Sequence, residues 1–145
     1  MRSILAGLAL AGALLGCSSV SDVGVAAQLS LDLHEAKWKQ RTFSSYTCDL
    51  VQQKFGITSN VRITVHDTTV VSVIDNTTGL PPEANVGWTT IDGLYADAQS
   101  VVGSKYTTLQ VEFDEQYSYP TLVSMSNNDP GGPFTARVSN LSPLP

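Results

Sequence analysis

Residues 61–66, Val-Arg-Ile-Thr-Val-His, alternate apolar and polar side chains without a break. A period of two places every apolar side chain on one face of an extended strand, and a helix would scatter them. The same pattern recurs along the chain. Tyr46, Cys48 and Leu50 alternate with Thr47 and Asp49, and Thr107, Leu109, Val111 and Phe113 alternate with Thr108, Gln110, Glu112 and Asp114. Phe134, Ala136 and Val138 form the inward side of a shorter run, and residues 70–75 and 121–126 complete six candidate strands. Turn chemistry separates them: a turn bracketed by Gly56 and Asn60, then Asp67-Thr68-Thr69, then residues 114–119, then Asn127-Asn128-Asp129-Pro130-Gly131-Gly132. Residues 76–88, with Gly79, Pro81, Pro82 and Gly87, read as a long loop.

Two stretches carry a helical period instead. Asp32 stands three residues before Glu35, the spacing of a capping box. Leu29, Leu33, Ala36 and Gln40 fall along one flank, with Leu33 and Trp38 as the larger apolar anchors. This predicts a helix near residues 30–41. The second helix has Thr89 or Thr90 as its cap and Ile91, Leu94, Tyr95, Ala98 and Val101 or Val102 on one face, with Gly103 just past its end. The order is α-βββ-α-βββ. It predicts an α+β fold: two short helices packed on one face of an antiparallel sheet of about six strands. The other sheet face would carry Thr47, Asp49, Arg62, Thr64, His66, Thr108, Gln110 and Glu112, and can sit in water or meet a partner. The halves echo weakly, Tyr46-Thr47 with Val51 against Tyr106-Thr107 with Val111, which is too little to establish a duplication.

Before all this comes a leader. Arg2 supplies a positive start, and residues 4–15 are wholly apolar or small. About twelve such residues fall short of the roughly 20 that span a hydrocarbon core, so the stretch reads as an export signal. Its end, Leu14-Leu15-Gly16-Cys17, resembles the bacterial lipobox, whose cysteine receives a diacylglyceryl group before cleavage on its N-terminal side. The expected organisation is a signal peptide over 1–16, lipidated Cys17 with a tether over 17–28, and a single α+β domain over 29–145. One acyl chain binds a membrane only marginally; the two or three of a bacterial lipoprotein anchor it permanently. Ser18 and Ser19 resemble residues that permit export to an outer membrane, where the cell has one.

Charge narrows the partners. The chain carries a formal net charge of −5 and a pI of about 4.7. Nucleic acid demands a basic footprint and is excluded as a partner. Anionic lipid would not attract the chain either, which leaves the acyl chains on Cys17 as the membrane contact. With Cys17 taken by lipid, Cys48 has no partner for a disulfide. Alternation puts Cys48 inward with Tyr46 and Leu50, and Asp49 beside it has the wrong sign to activate a thiol.

Several segments together resemble a family of bacterial envelope proteins, often lipoproteins, catalogued as domain of unknown function family 6174. They are Trp38 followed by Tyr46-Thr47; Val61-Arg62-Ile63-Thr64-Val65-His66-Asp67 running into Val70; Thr90-Ile91-Asp92-Gly93-Leu94-Tyr95; and Val111-Glu112-Phe113-Asp114 leading to Tyr119-Pro120-Thr121. The resemblance covers about residues 35–138 and implies fold and location, with no assigned activity. Family members often carry cysteines near the end of the first strand and a glycine after the position of Asp67. Lys54-Phe55-Gly56 and Thr68 stand here instead, so no disulfide or metal role tied to those cysteines transfers.

No HExxH, GxSxG, Walker loop, dinucleotide turn or CxxC is present in the sequence. His34 and His66 lie on different elements and read as surface residues. Asp114 and Glu115 are adjacent in a turn, where side chains point apart, unlike a glycosidase pair. Asn127, Asn128 and Asp129 lack the spacing of a calcium loop. Asp92 suits the start of the second helix, and Gly93 suits close packing. No catalytic residue, metal ligand or cofactor is assigned. The candidate binding residues are Tyr117 and Tyr119, in a turn, and Trp88, at the end of the long loop, because exposed Tyr and Trp anchor interfaces. The expected function is a lipid-anchored envelope protein with a non-enzymatic binding or structural role toward an envelope protein or the cell wall. An enzyme-inhibitor-like module and, after it, a small hydrolase are the alternatives.

Overall fold

The structure is a computed structural model that describes residues 22–83, 86–104, 107–127 and 132–145. The leader, the lipobox and residues 128–131 of the Asn-rich turn lie outside the described residues. Helix α1 (Asp22–Lys39) is followed by β1 (Tyr46–Lys54), β2 (Ile57–His66) and β3 (Thr69–Asp75). Then come α2 (Ile91–Val101), β4 (Thr107–Phe113), β5 (Pro120–Asn127) and β6 (Phe134–Pro143). The strands form one antiparallel sheet in the order β3-β2-β1-β6-β5-β4. The α-βββ-α-βββ order is the one the periodicities predict.

One face of the sheet holds the core. Tyr46, Cys48 and Leu50 stand opposite Val65, Ile63 and Val61, and all six are buried. Val138 and Ala136 continue the layer through β6 to Val123 on β5. From the helices, Leu31, Trp38, Ile91, Leu94, Tyr95 and Ala98 close over it. Thr90 caps α2, its hydroxyl oxygen accepting from the Gly93 amide at 3.1 Å, and the Tyr46 hydroxyl oxygen accepts from the Ile91 amide at 3.0 Å. The sheet thus holds the start of α2 directly. A side chain on Gly93 would come within 2.2 Å of the Thr89 hydroxyl oxygen, which explains the glycine there.

Three expectations are corrected. Helix α1 begins at Asp22, so residues 22–28 are helical and only the part of the expected tether before them is left. Ala26, Ala27 and Gln28 are good helix formers, and Gln28 donates to Asp32 one turn on at 2.8 Å. The buried flank of α1 is Leu31 and Trp38 with Gly24 and Ala27, whereas Leu29 and Leu33 face solvent. Small residues win that flank because it approaches backbone: a Cβ on Gly24 would lie 3.6 Å from Gly103 Cα. The β1–β2 turn is the two-residue Phe55-Gly56, closed by the Lys54–Ile57 pair, and residues 57–60 belong to β2. Both turn residues have positive φ, 54° and 76°, as a tight hairpin matched to sheet twist requires. Apart from these, Leu122 is buried although it lies on the polar face, where its neighbours across the ladder are Glu112 and Arg137.

The topology also bears on the weak echo between the halves. Strand β1 is central, while β4 is at the edge and runs the opposite way. A two-fold axis would need both at matching positions, and a translation would need them to run alike. The halves are therefore not related by either operation.

Candidate functional site

The three aromatic residues singled out in the sequence take different roles. Tyr119 is only 7% exposed and belongs to the core, its ring edge-on to Trp38 at 6.3 Å between centroids. It cannot present itself to a partner, and the expectation of an exposed anchor there is corrected. The cause is local. Asp114 accepts from the Gln116 and Tyr117 amides with its carboxylate, and its own amide donates to the Tyr119 carbonyl at 2.9 Å. The turn therefore closes on Tyr119, one residue before β5 begins. Tyr117 is half-buried and meets Phe43 edge-to-face at 5.5 Å. Trp88 is half-buried at the end of the long loop and packs on the core. The structure does not join the three into one exposed patch.

What it assembles instead is a bracing corner between the end of α1 and the start of α2. The Trp38 indole donates to Asp92 Oδ1 at 3.1 Å, and the Arg41 guanidinium lies over the indole at 4.0 Å from the ring centre. Arg41 Nη2 faces Asp92 Oδ2 at 3.6 Å, an ion pair beyond hydrogen-bond reach. Trp38 also meets Tyr46 edge-on at 5.6 Å. Burial pushes the Tyr46 hydroxyl well above the usual phenol range, so it stays protonated while accepting from Ile91. The Tyr95 hydroxyl donates to the Ser118 carbonyl and is shifted upward by burial likewise. These contacts tie the end of α1, the start of α2 and β1 to one another.

A second polar cluster lies on the open sheet face. Asp49 receives Arg62 at 2.8 and 3.0 Å, Asn140 at 2.7 Å and Asn76 at 3.4 Å; Asn76 also reaches Asn60 at 2.8 Å. The Arg62 hydrogen bonds, ahead of the others, hold the Asp49 carboxyl below the usual carboxylate range. Sequence reasoning missed Asn140 and Asn76. Asn140 sits at φ 53°, close to where the β1–β6 register shifts, a position no alternation reveals.

The remaining titratable candidates are quiet. Cys48 is buried and its thiol is pushed up to about 12 by desolvation, which removes thiolate reactivity. His34 is not a free surface residue: its ring stacks flat on Phe113 at 3.8 Å, and burial lowers its pKa. His66 is exposed beside Asp67 at 3.3 Å. Gln52, facing inward on β1, donates to the Gly87 carbonyl at 3.2 Å and ties the long loop over the sheet. Among the described residues no group of three or more His, Cys, Asp or Glu side chains is placed to hold a metal ion. An open groove of about 300 Å³ runs between α1 and edge strand β4, lined mainly by Ala27, Leu31, Leu109, Val111 and Phe113.

The parts that form the corner, Trp38, Tyr46, the Thr90–Tyr95 segment and Tyr119, fall within a single family match over residues 30–130. The chain belongs to the Family of unknown function (DUF6174). No curated protein and no solved structure matches it. In this DUF6174 chain the match spans most of α1, all of the first five strands and α2, and stops before β6.

Proposed function

We propose that this DUF6174 protein is a lipid-anchored protein of the bacterial cell envelope, with a non-enzymatic binding or structural role. The observation that carries the reading is Leu14-Leu15-Gly16-Cys17 at the end of a basic-then-apolar leader, five residues before α1 begins at Asp22. Acyl chains on Cys17 would hold the domain at a membrane surface, and among the described residues no helix is long and apolar enough to cross one. The open sheet face, with Arg62, His66, Thr108, Gln110 and Glu112 exposed, is a surface that an envelope protein or cell-wall polymer can meet.

The test is acylation at Cys17. The full-length protein, expressed in a bacterium, is expected to incorporate labelled palmitate and to enter the detergent phase on phase separation. Cys17→Ser is expected to lose both properties, leaving a soluble or uncleaved chain. A leader-cleaved Cys17→Ser protein that still enters the detergent phase would sink the reading.

A further inference from the structure

Helix α1 has a second apolar stripe that nothing among the described residues covers. Val25, Leu29 and Leu33 are spaced i, i+4, i+8 and are 65%, 66% and 56% exposed. At about 100° per residue they lie within one narrow arc. Buried Leu31 and Trp38, with half-buried Gly24 and Ala27, occupy the opposite side. The stripe therefore points straight away from the body of the protein. Exposed Ala26 and Ala36 lie along it, and exposed Asp32 adjoins its edge beside Val25.

We propose that this stripe rests on the bilayer that anchors the chain, with Val25, Leu29 and Leu33 entering the boundary between headgroups and acyl chains. The inference rests on acylation at Cys17. Four residues separate that cysteine from Asp22, and at full stretch the five steps between them reach roughly 17 Å. The start of α1 can never leave the membrane surface by more than that. Three apolar side chains are too few to hold a free protein on lipid. Tethering changes the problem, because it makes the second contact intramolecular at high effective concentration. The chain is acidic, with a net charge of −5, so the contact is apolar and should not depend on attraction to anionic lipid. A bilayer fits better than a second copy because the tether delivers it to this helix regardless of protein concentration.

The full-length acylated protein carrying Leu29→Cys, labelled with an environment-sensitive fluorophore, tests this in phosphatidylethanolamine–phosphatidylglycerol vesicles. Cys48 is 1% exposed and will not compete for the label. Flotation with the vesicles reports the anchor, and the fluorophore reports the stripe. The expected result is a blue shift on reconstitution, loss of most emission when bromine-labelled phospholipid is included, and persistence of both in high salt. The same label at Thr108→Cys, on the open sheet face, should keep its aqueous emission. A floated protein whose position-29 label stays aqueous overturns the proposal while leaving the anchor intact. A shift abolished by salt overturns it as well. So does a shift already present in soluble Cys17→Ser protein that sediments as a dimer, since a second copy would then cover the stripe. Failure to float overturns the anchor and the proposal together.

Discussion

Tyr117 and Tyr119 are two residues apart, and the sequence offers no difference between them. The structure separates them through Asp114, whose turn closes onto the Tyr119 carbonyl and leaves Tyr117 outside the ladder. Tyr119→Ala is therefore expected to lose about 3–5 kcal/mol of stability, as for any buried aromatic. Tyr117→Ala, which gives up one edge-to-face contact with Phe43, should lose only about 0.5–1.5 kcal/mol in the same urea titration. Equal losses would mean that the two rings are equally buried. Asp49 offers a pH-dependent contrast. Its folded-state pKa is depressed, chiefly by Arg62, so its contribution is complete above the ordinary carboxylate range and is lost as pH falls through the depressed folded value. Asp49→Asn should cost about 1 kcal/mol at neutral pH, since one partner is largely exposed. The gap to the wild type should close toward acid in denaturant melts taken from pH 7 to pH 2. A gap that stays constant with pH would show that the carboxylate charge is not what the cluster uses.

At the level of elements, period was enough to place the strands and α2. In β1, β2, β6 and α2 the apolar residues that the period turns inward are buried, whereas β5 also buries Leu122 from its polar side. Helix α1 resisted because its sequence carries two stripes. Leu29 and Leu33 are the larger residues, yet tertiary packing chose the flank with Gly24 and Ala27, which lets the helix lie against Gly103. Size alone points to the wrong side when close approach of backbone decides. The β1–β2 turn was missed for a related reason. Phe55 is a poor candidate for a left-handed position, and nothing in hydropathy marks it. It sits at φ 54° and is 64% exposed, with the Lys54 ammonium 5.3 Å from its ring centre. Phe55→Asn restores the Asn-Gly pair that such turns prefer. It removes a left-handed strain of roughly 1–2 kcal/mol and gives up a cation–π contact of about 0.5–1 kcal/mol. The expected net effect is a gain of up to about 1.5 kcal/mol, read as a higher melting temperature. A lower one would show that the exposed ring contributes packing or contact that outweighs the strain.

The whole molecule is joined at its middle by its first and last strands. Strand β1 pairs with β6 along almost its full length, and Asn140 donates to Asp49 from 91 residues away. Half of the sheet therefore waits on a strand made after all the other described strands, and such non-local pairing folds slowly, in milliseconds to seconds. The two halves also differ in cover. Helix α2 packs over β4 and β5, whereas β2 and β3 lie at the far side of the sheet and the loop tied down by Gln52 serves β1. Neither half has a complete core of its own. Removing residues 132–145 would leave β1 as a bare edge with Leu50 and Gln52 stripped of Val138 and Ala136, and would reduce β4–β5 to one hairpin, which is marginal in water alone. The truncated chain is expected to lose cooperative thermal unfolding and amide protection throughout. In the intact protein, hydrogen exchange should be slowest in β1 and β6 and fastest along the outer edges of β3 and β4, because opening the centre requires opening everything. A truncated protein that still melts cooperatively with β1–β2–β3 protected would show that the first half folds as its own unit, and that β6 closes a sheet already formed.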